Sequence, residues 1–298
     1  MKRNTYTSII RTLGCLLLLP VFASSCIHED PELTADGEIG VDPTAVNIMT
    51  NLILETPFDP IDISRNTRAE EETEFLHRFT VSAYEGTQKV ASQVIFQKVQ
   101  TGETTISIPV RLKLHARKYQ IAVWADYTGK TGDTYQLFYN AEDKGFIMRA
   151  TPYKANSKYY DAFYGSTSLD LSSYRDQWNV TVPTDIEMIR PMARYNLIAT
   201  DVEKFLQKVD KKEITGKKFT ITVKYNYYLP TAFDALTGKL KRSLQYMEYN
   251  KTVELATLRG LENKDEFTIG FDYLLINNES TASVPVTIEI TNESKKVV

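Results

Sequence analysis

From His77 onward, apolar and polar residues alternate with a period of two. In "RFTVSAYEG" Phe79, Val81 and Ala83 fall on one side, and "ASQVIFQKV" and "TTISIPVRLKL" repeat the pattern with Gly102 between them. Side chains of a strand point alternately to its two faces, so this pattern predicts strands with one buried face. "KYQIAVWADYTGKTGDTYQLFY" adds a strand, a Gly-rich turn and a returning strand. An earlier strand is predicted over "AVNIMTNLIL", residues 45 to 54, with Val46, Ile48, Leu52 and Leu54 sharing a face. After it, "ETPFDPIDISRNTRAEEETE" interrupts the alternation with Pro57, Pro60 and a run of charge, the composition of a loop.

One segment has a different period. In "ATDVEKFLQKVDKK" the apolar residues Val202, Phe205, Leu206 and Val209 are spaced as one face of a helix. Thr200 or Asp201 can cap its start, and lysines gather at its end, where the helix dipole favours cations. Strands resume with "KKFTITVKYNYYLP", "YNKTVELATL", "EFTIGFDYLLIN" and "SVPVTIEITN". Many strands, one helix and many more strands predict an all-β fold of two tandem β-sandwich domains, residues 45–178 and 179–298. The single short amphipathic helix belongs to the second. A Tyr-rich and Thr-rich composition suits strands, and the length is comfortable for two domains.

The first residues are of another kind. Lys2, Arg3 and Arg11 precede "LGCLLLLPVFA", an apolar run of the length of a signal-peptide core and too short to span a bilayer. In "PVFASSCIHEDPEL" the small residues Ala23, Ser24 and Ser25 lead into Cys26, which resembles a bacterial lipobox. That resemblance implies removal of residues 1–25, lipid on the Cys26 thiol and residence at the outer membrane. The other cysteine, Cys15, lies in the segment to be removed, so a disulfide has no partner to form with. Glu29 and Asp30 resemble the surface-export signal of Bacteroidetes lipoproteins, and they equally suit a solvated linker. Residues 26–44, polar and acidic with Pro31 and Gly37, read as a tether.

Losing Lys2, Arg3 and Arg11 takes the formal charge from −3 to −6, which argues against nucleic acid as a partner. Motifs for chemistry are sparse. "TGKTGDT" lacks the first glycine of a phosphate-binding loop, because Trp124 stands in its place, and no helix follows. His28, His77 and His115 lack metal-ligand spacing. No "HExxH" or "GxSxG" occurs, so no catalytic residue, metal or cofactor is expected, although a carboxylate pair among Asp126, Asp133 and Asp161 stays open. A ligand site is another reading: Trp124 and Tyr127, with Asp126 and Asp161, could stack on sugar rings and accept hydroxyl hydrogen bonds. Against it stands a Tyr-rich sheet whose rings pair across strands and fill the core.

"YQIAVWADY", "YYDAFYGS" at 159–166 and above all "RPMARYNLIATDVEKFL" at 190–206 resemble the fimbrillin-like lipoproteins of Bacteroidetes. The resemblance runs from about residue 45 onward. It implies two transthyretin-like Greek-key sandwiches behind a lipoprotein signal, and fimbrial subunits that join by strand exchange, with host or bacterial surface ligands as further partners. It also implies cleavage after an arginine to remove an N-terminal strand, for which Arg65 and Arg68 match by residue type and position. An uncut chain would suit an anchor or accessory subunit. At the C-terminus "SVPVTIEITNESKKVV" reads as a strand, a turn at Asn292–Ser294 and the start of another strand. The relatives continue through a further strand, so the last one here is expected to be incomplete or its neighbour's edge left unpaired.

Overall fold

The computed structural model describes residues 46–58, 76–128, 138–141, 145–148, 153, 155–175, 177, 180–276 and 284–298. Cys26, Arg65, Arg68 and residues 129–134 of "TGKTGDT", Asp133 among them, lie outside the described residues. The first strands are β1 (Val46–Leu54), β2 (Leu76–Glu85), β3 (Gln88–Gln97), β4 (Thr105–Leu112), β5 (Lys118–Thr128), β6 (Tyr139–Ala141), β7 (Phe146–Met148), β8 (Ala162–Asp170) and β9 (Thr181–Met188). There follow β10 (Met192–Ala199), helix α1 (Val202–Asp210), β11 (Lys218–Tyr225), β12 (Leu229–Asp234), β13 (Lys239–Leu244) and β14 (Glu248–Glu254). Helix α2 (Leu255–Arg259), β15 (Phe267–Leu275) and β16 (Val286–Asn292) complete the order. The fold is all-β, as the alternation predicted.

The first sandwich sets sheet β3-β2-β5-β8 against sheet β4-β1-β9. Its core is the alternating set: Phe79, Val81 and Ala83 from β2, Ile121 and Val123 from β5, and Ile106, Ile108 and Val110 from β4, all buried. Each of these side chains larger than alanine contributes about 1.5–3 kcal/mol on leaving water. Strands β2 and β5 are buried on both faces, because the four-stranded sheet β13-β12-β7-β6 lies over the other side of their sheet. Trp124 stacks on Phe146 of that covering layer, with centroids 4.5 Å apart and planes 6° from parallel. The result is three layers, and the third draws strands from both halves of the chain.

The second sandwich sets β10-β15 against β14-β11-β16, with α1 and α2 across one end. Val202 and Leu206 of α1 bury against Ile221, Val253 and Ile269, and Phe205 meets Phe219 edge-on at 5.0 Å. Asp201 stands at the cap position, but its side chain makes no capping hydrogen bond. Two details depart from expectation. Strand β9 lies beyond the boundary expected at residue 178, yet belongs to the first sandwich by its pairing with β1. The segment "YNKTVELATL" is strand only to Glu254 and then turns into α2, where Leu258 packs under α1's end of the core.

His77 shows what burial does to a titrating group in this core. Its ring lies 4.5 Å from Phe58 and 4.4 Å from Tyr127, and its Nδ1 accepts a hydrogen bond from the Val99 N–H at 3.2 Å. Burial lowers its pKa from 6.5 to about 4. The folded state therefore resists protonation: the stability is complete above pH 6.5 and is lost as pH falls through about 4. The loss amounts to roughly 3 kcal/mol. His77→Asn keeps an acceptor near Nδ1 and does not titrate, so its urea midpoint should fall less than that of the native protein over this interval. Equal falls would show that acid acts elsewhere.

Candidate functional site

Strand β1 occupies the middle of its sheet, although it is the first strand of the described chain. It runs antiparallel to β4, from Val46 opposite Leu112 to Ile53 opposite Thr105, and parallel to β9, from Asn47 beside Thr181 to Leu54 beside Met188. Both of its edges are paired. Its withdrawal would leave the backbone donors and acceptors of β4 and β9 facing a gap one strand wide, a template for any other extended segment.

The side chains define what the gap would accept. Ile48, Thr50, Leu52 and Leu54 point inward and are buried, whereas Met49 and Ile53 are 41% and 42% exposed on the outer face. Ile106, Ile108 and Val110 line one wall, and Ile186 and Met188 the other. On the outer face Asn51 bridges all three strands, donating from Nδ2 to Asp185 at 2.9 Å and accepting from the Ser107 hydroxyl at 2.7 Å. That bridge pins the register, since a slip of one residue would turn Ile48 and Leu52 outward. Among the described residues, the buried hydroxyls of Thr50 and Thr184 find no hydrogen-bond partner. Inside, the groove holds β1 by its apolar alternation and the ladder, a demand that many strand sequences can meet.

A second edge is exposed on β16. Its outer side is bridged only where Thr291 meets Val297, among the described residues, and Val286 and Ile288 are partly exposed. The turn expected at Asn292–Ser294 is present, with the Asn292 N–H donating to the Lys296 carbonyl at 3.0 Å. By contrast β13 presents Lys239, Lys241 and Arg242, charges that discourage edge pairing.

The aromatic and acidic residues singled out for ligand binding are interior. Trp124, Asp126 and Asp161 are fully buried and Tyr127 nearly so. Asp126 is held under the covering sheet by Arg78, whose Nε donates at 2.7 Å and whose Nη2 donates to the second oxygen and to the Tyr139 carbonyl. Burial raises the Asp126 pKa, and the guanidinium opposes the rise. Asp161 sits elsewhere, in a fork from Arg190 at 2.7 and 2.9 Å. Arg190 also grips the chain leaving β1, donating from the side chain to the Pro57 carbonyl at 2.8 Å and from its backbone N–H to Glu55 at 2.9 Å. Rings and carboxylates so enclosed cannot stack on a sugar; they are struts between layers.

Residues 43–298 match the profile of a family of unknown function, DUF6562. The chain belongs to that family. No curated protein matches it. Solved structures resemble this DUF6562 chain more distantly. One is a candidate cell adhesion protein from Parabacteroides distasonis, 13% identical with a TM-score of 0.45, covering 85% of this chain and 76% of that one. Another, from Bacteroides ovatus, is a candidate cell adhesion protein at 12% identity and a TM-score of 0.41, with coverages of 85% and 84%. A candidate adhesin from Bacteroides ovatus has 10% identity and a TM-score of 0.44, with coverages of 86% and 81%. Similarity this remote says nothing about ligands or partners.

One polar cluster of the DUF6562 chain was not legible beforehand. Asp272 lies inside the second sandwich and accepts hydrogen bonds from the hydroxyls of Tyr153 and Tyr225; Tyr225 also meets the Tyr195 hydroxyl. Burial pushes the Asp272 carboxyl up to about 6 from its ordinary 3.8, although the tyrosines pull it down. A raised folded pKa means that the fold prefers the protonated acid. Its contribution is complete below pH 3.8 and is lost as pH rises through about 6, a change of roughly 3 kcal/mol. Asp272→Asn is neutral throughout. Between about pH 4 and pH 7 the native protein should lose stability relative to this variant. Parallel denaturation curves at the two pH values measure it, and a constant difference would refute it. Among the described residues no group of three His, Cys, Asp or Glu is placed to hold a metal.

Proposed function

We propose that this chain is a lipid-anchored cell-surface subunit for adhesion, of the fimbrial structural or accessory kind, and that it assembles by strand exchange at the β1 groove without catalytic chemistry. The central place of β1 carries the reading. A strand at a sheet edge could leave and change little, but β1 separates β4 from β9, so its departure opens an apolar groove with two unpaired edges. Arg65 and Arg68 fall in the sequence between β1 and β2. A cut there would sever both β1 and the Cys26 lipid from the body; an uncut chain would stay tethered and closed, which fits an anchor or accessory role.

The test is limited digestion of the purified protein with a trypsin-like protease, followed by N-terminal sequencing and size analysis. Cleavage after Arg65 or Arg68 that yields a folded body and a ladder of multimers is the expected result. The Arg65→Gln/Arg68→Gln variant should remain uncut there and monomeric. A body that loses β1 and stays monomeric would overturn assembly by this route.

A further inference from the structure

Away from the β1 groove, two bends at one end of the second sandwich form a cleft of about 240 Å³. The first bend, Asn226–Tyr228, joins β11 to β12, and the second, Gln245–Met247, joins β13 to β14. They are fastened together from below, where the Tyr225 N–H donates to the Met247 carbonyl at 2.9 Å, and the first bend is also tied to the segment before β16, the Asn226 N–H donating to the Pro285 carbonyl at 2.9 Å. Tyr225 and Met247 are buried beneath. Above that floor the tyrosines turn outward. Tyr227 and Tyr246, which line the cleft, are 60% and 88% exposed, and Tyr228, outside the lining, stands at 88° to Tyr227 with centroids 5.6 Å apart.

We propose that this cleft is a binding site for a neutral saccharide. The exposed rings of Tyr227 and Tyr246 offer flat faces and hydroxyls at one cleft, which suits a sugar, whose ring has an apolar face and a polar rim. The volume lies below the roughly 300–1,000 Å³ of drug-sized ligand sites, so one sugar ring or a chain end fits it better than an extended polymer. Polar groups on the wall are unspent. Neither the Gln245 side chain nor the Glu248 carboxylate is engaged in a hydrogen bond or ion pair among the described residues, whereas the Lys224 ammonium is paired with Glu289 at 3.2 Å. An unpaired carboxylate beside a neutralised cation accepts hydroxyls and repels acidic sugars.

The backbone supplies an independent observation. Tyr246 has φ of 62°, in the left-handed region that costs a bulky side chain free energy. Glycine would fit the turn better, and nothing in the core uses the Tyr246 ring. The strained turn does one visible thing, which is to hold that ring out beside the cleft.

The experiment is ligand-observed NMR and calorimetry on the purified protein with malto-, cello-, xylo-, manno- and galacto-oligosaccharides as probes, and sialyllactose as the acidic comparison. At least one neutral probe should bind, and sialyllactose should not. Tyr246→Gly keeps the turn, relieves its strain and removes the ring, so it should weaken binding about tenfold with an unfolding midpoint no lower than the native one. Tyr227→Ala should do the same. The site is overturned if no neutral probe binds, or if binding survives in the Tyr227→Ala/Tyr246→Gly protein. It is also overturned if the native chain self-associates through these tyrosines and the double variant abolishes only that. None of these outcomes depends on whether β1 exchanges.

Discussion

Arg78→Met is expected to lower the unfolding free energy by about 3–5 kcal/mol, more than a truncation of similar size at the surface. Arg78 and Asp126 face each other across the β2–β5 ladder and are both buried between the central sheet and its covering layer. Removing the guanidinium leaves a carboxylate with neither counter-charge nor water, and also strips a donor from the Tyr139 carbonyl. The acid can escape only by taking a proton, so the loss should be smallest in acid and grow toward neutral pH. Removing both charges is a different case. Arg78→Met/Asp126→Leu replaces the pair with apolar volume, and such replacements are often neutral or stabilising. Chemical denaturation of the two variants at about pH 5 and pH 8 decides the matter. A double variant as unstable as the single one would place the damage in packing rather than in the stranded charge.

The same pair shows how far the sequence could be read. Alternation located β2 to β5, β11, β15 and β16, and it chose the face of β2 that Phe79, Val81 and Ala83 share. It could not show that the other face is covered too, because the cover consists of β6 and β7, three residues each, and strands that arrive from the far half of the chain. Such short strands carry no period. A hint was present in "YQIAVWADY", whose near-continuous apolar character suits a strand buried on both sides better than one facing water. On that reading Trp124 and Asp126 become interior. In the same way Asp272, one acid within "FTIGFDYLL", marks a buried carboxylate in a strand otherwise apolar. Helix α2 was illegible for a simpler reason: five residues make barely more than one turn, too few to show a helical period. The exposed tyrosines were hidden by composition itself. Tyr246 differs from the core tyrosines only in its left-handed turn, and a turn of that kind is set by the two strands it joins.

Leu52→Ala should cost the intact chain about 2–5 kcal/mol, because Leu52 is fully buried where β1 crosses the first core. Ile53→Ala, one residue along and 42% exposed on the outer face, should change stability by no more than about 0.5 kcal/mol. The contrast tests the register that Asn51 fixes; similar losses at both positions would mean that β1 is not held as described. The pair also identifies the donor strand in the assembly. If a cut chain recruits β1 from an uncut neighbour, Leu52 enters the groove between Ile106 and Ile186 again, and Leu52→Ala weakens multimers as it weakens the monomer. If the donor is another segment, such as the exposed β16 with Val286 and Ile288, β1 has left with the cleaved peptide. Leu52→Ala then makes the uncut chain easier to open while leaving the finished multimers as stable as the native ones. Measuring multimer dissociation in urea for native and Leu52→Ala chains therefore separates exchange of like strands from capture of an unlike one, since only the first requires the same leucine on both sides of the reaction.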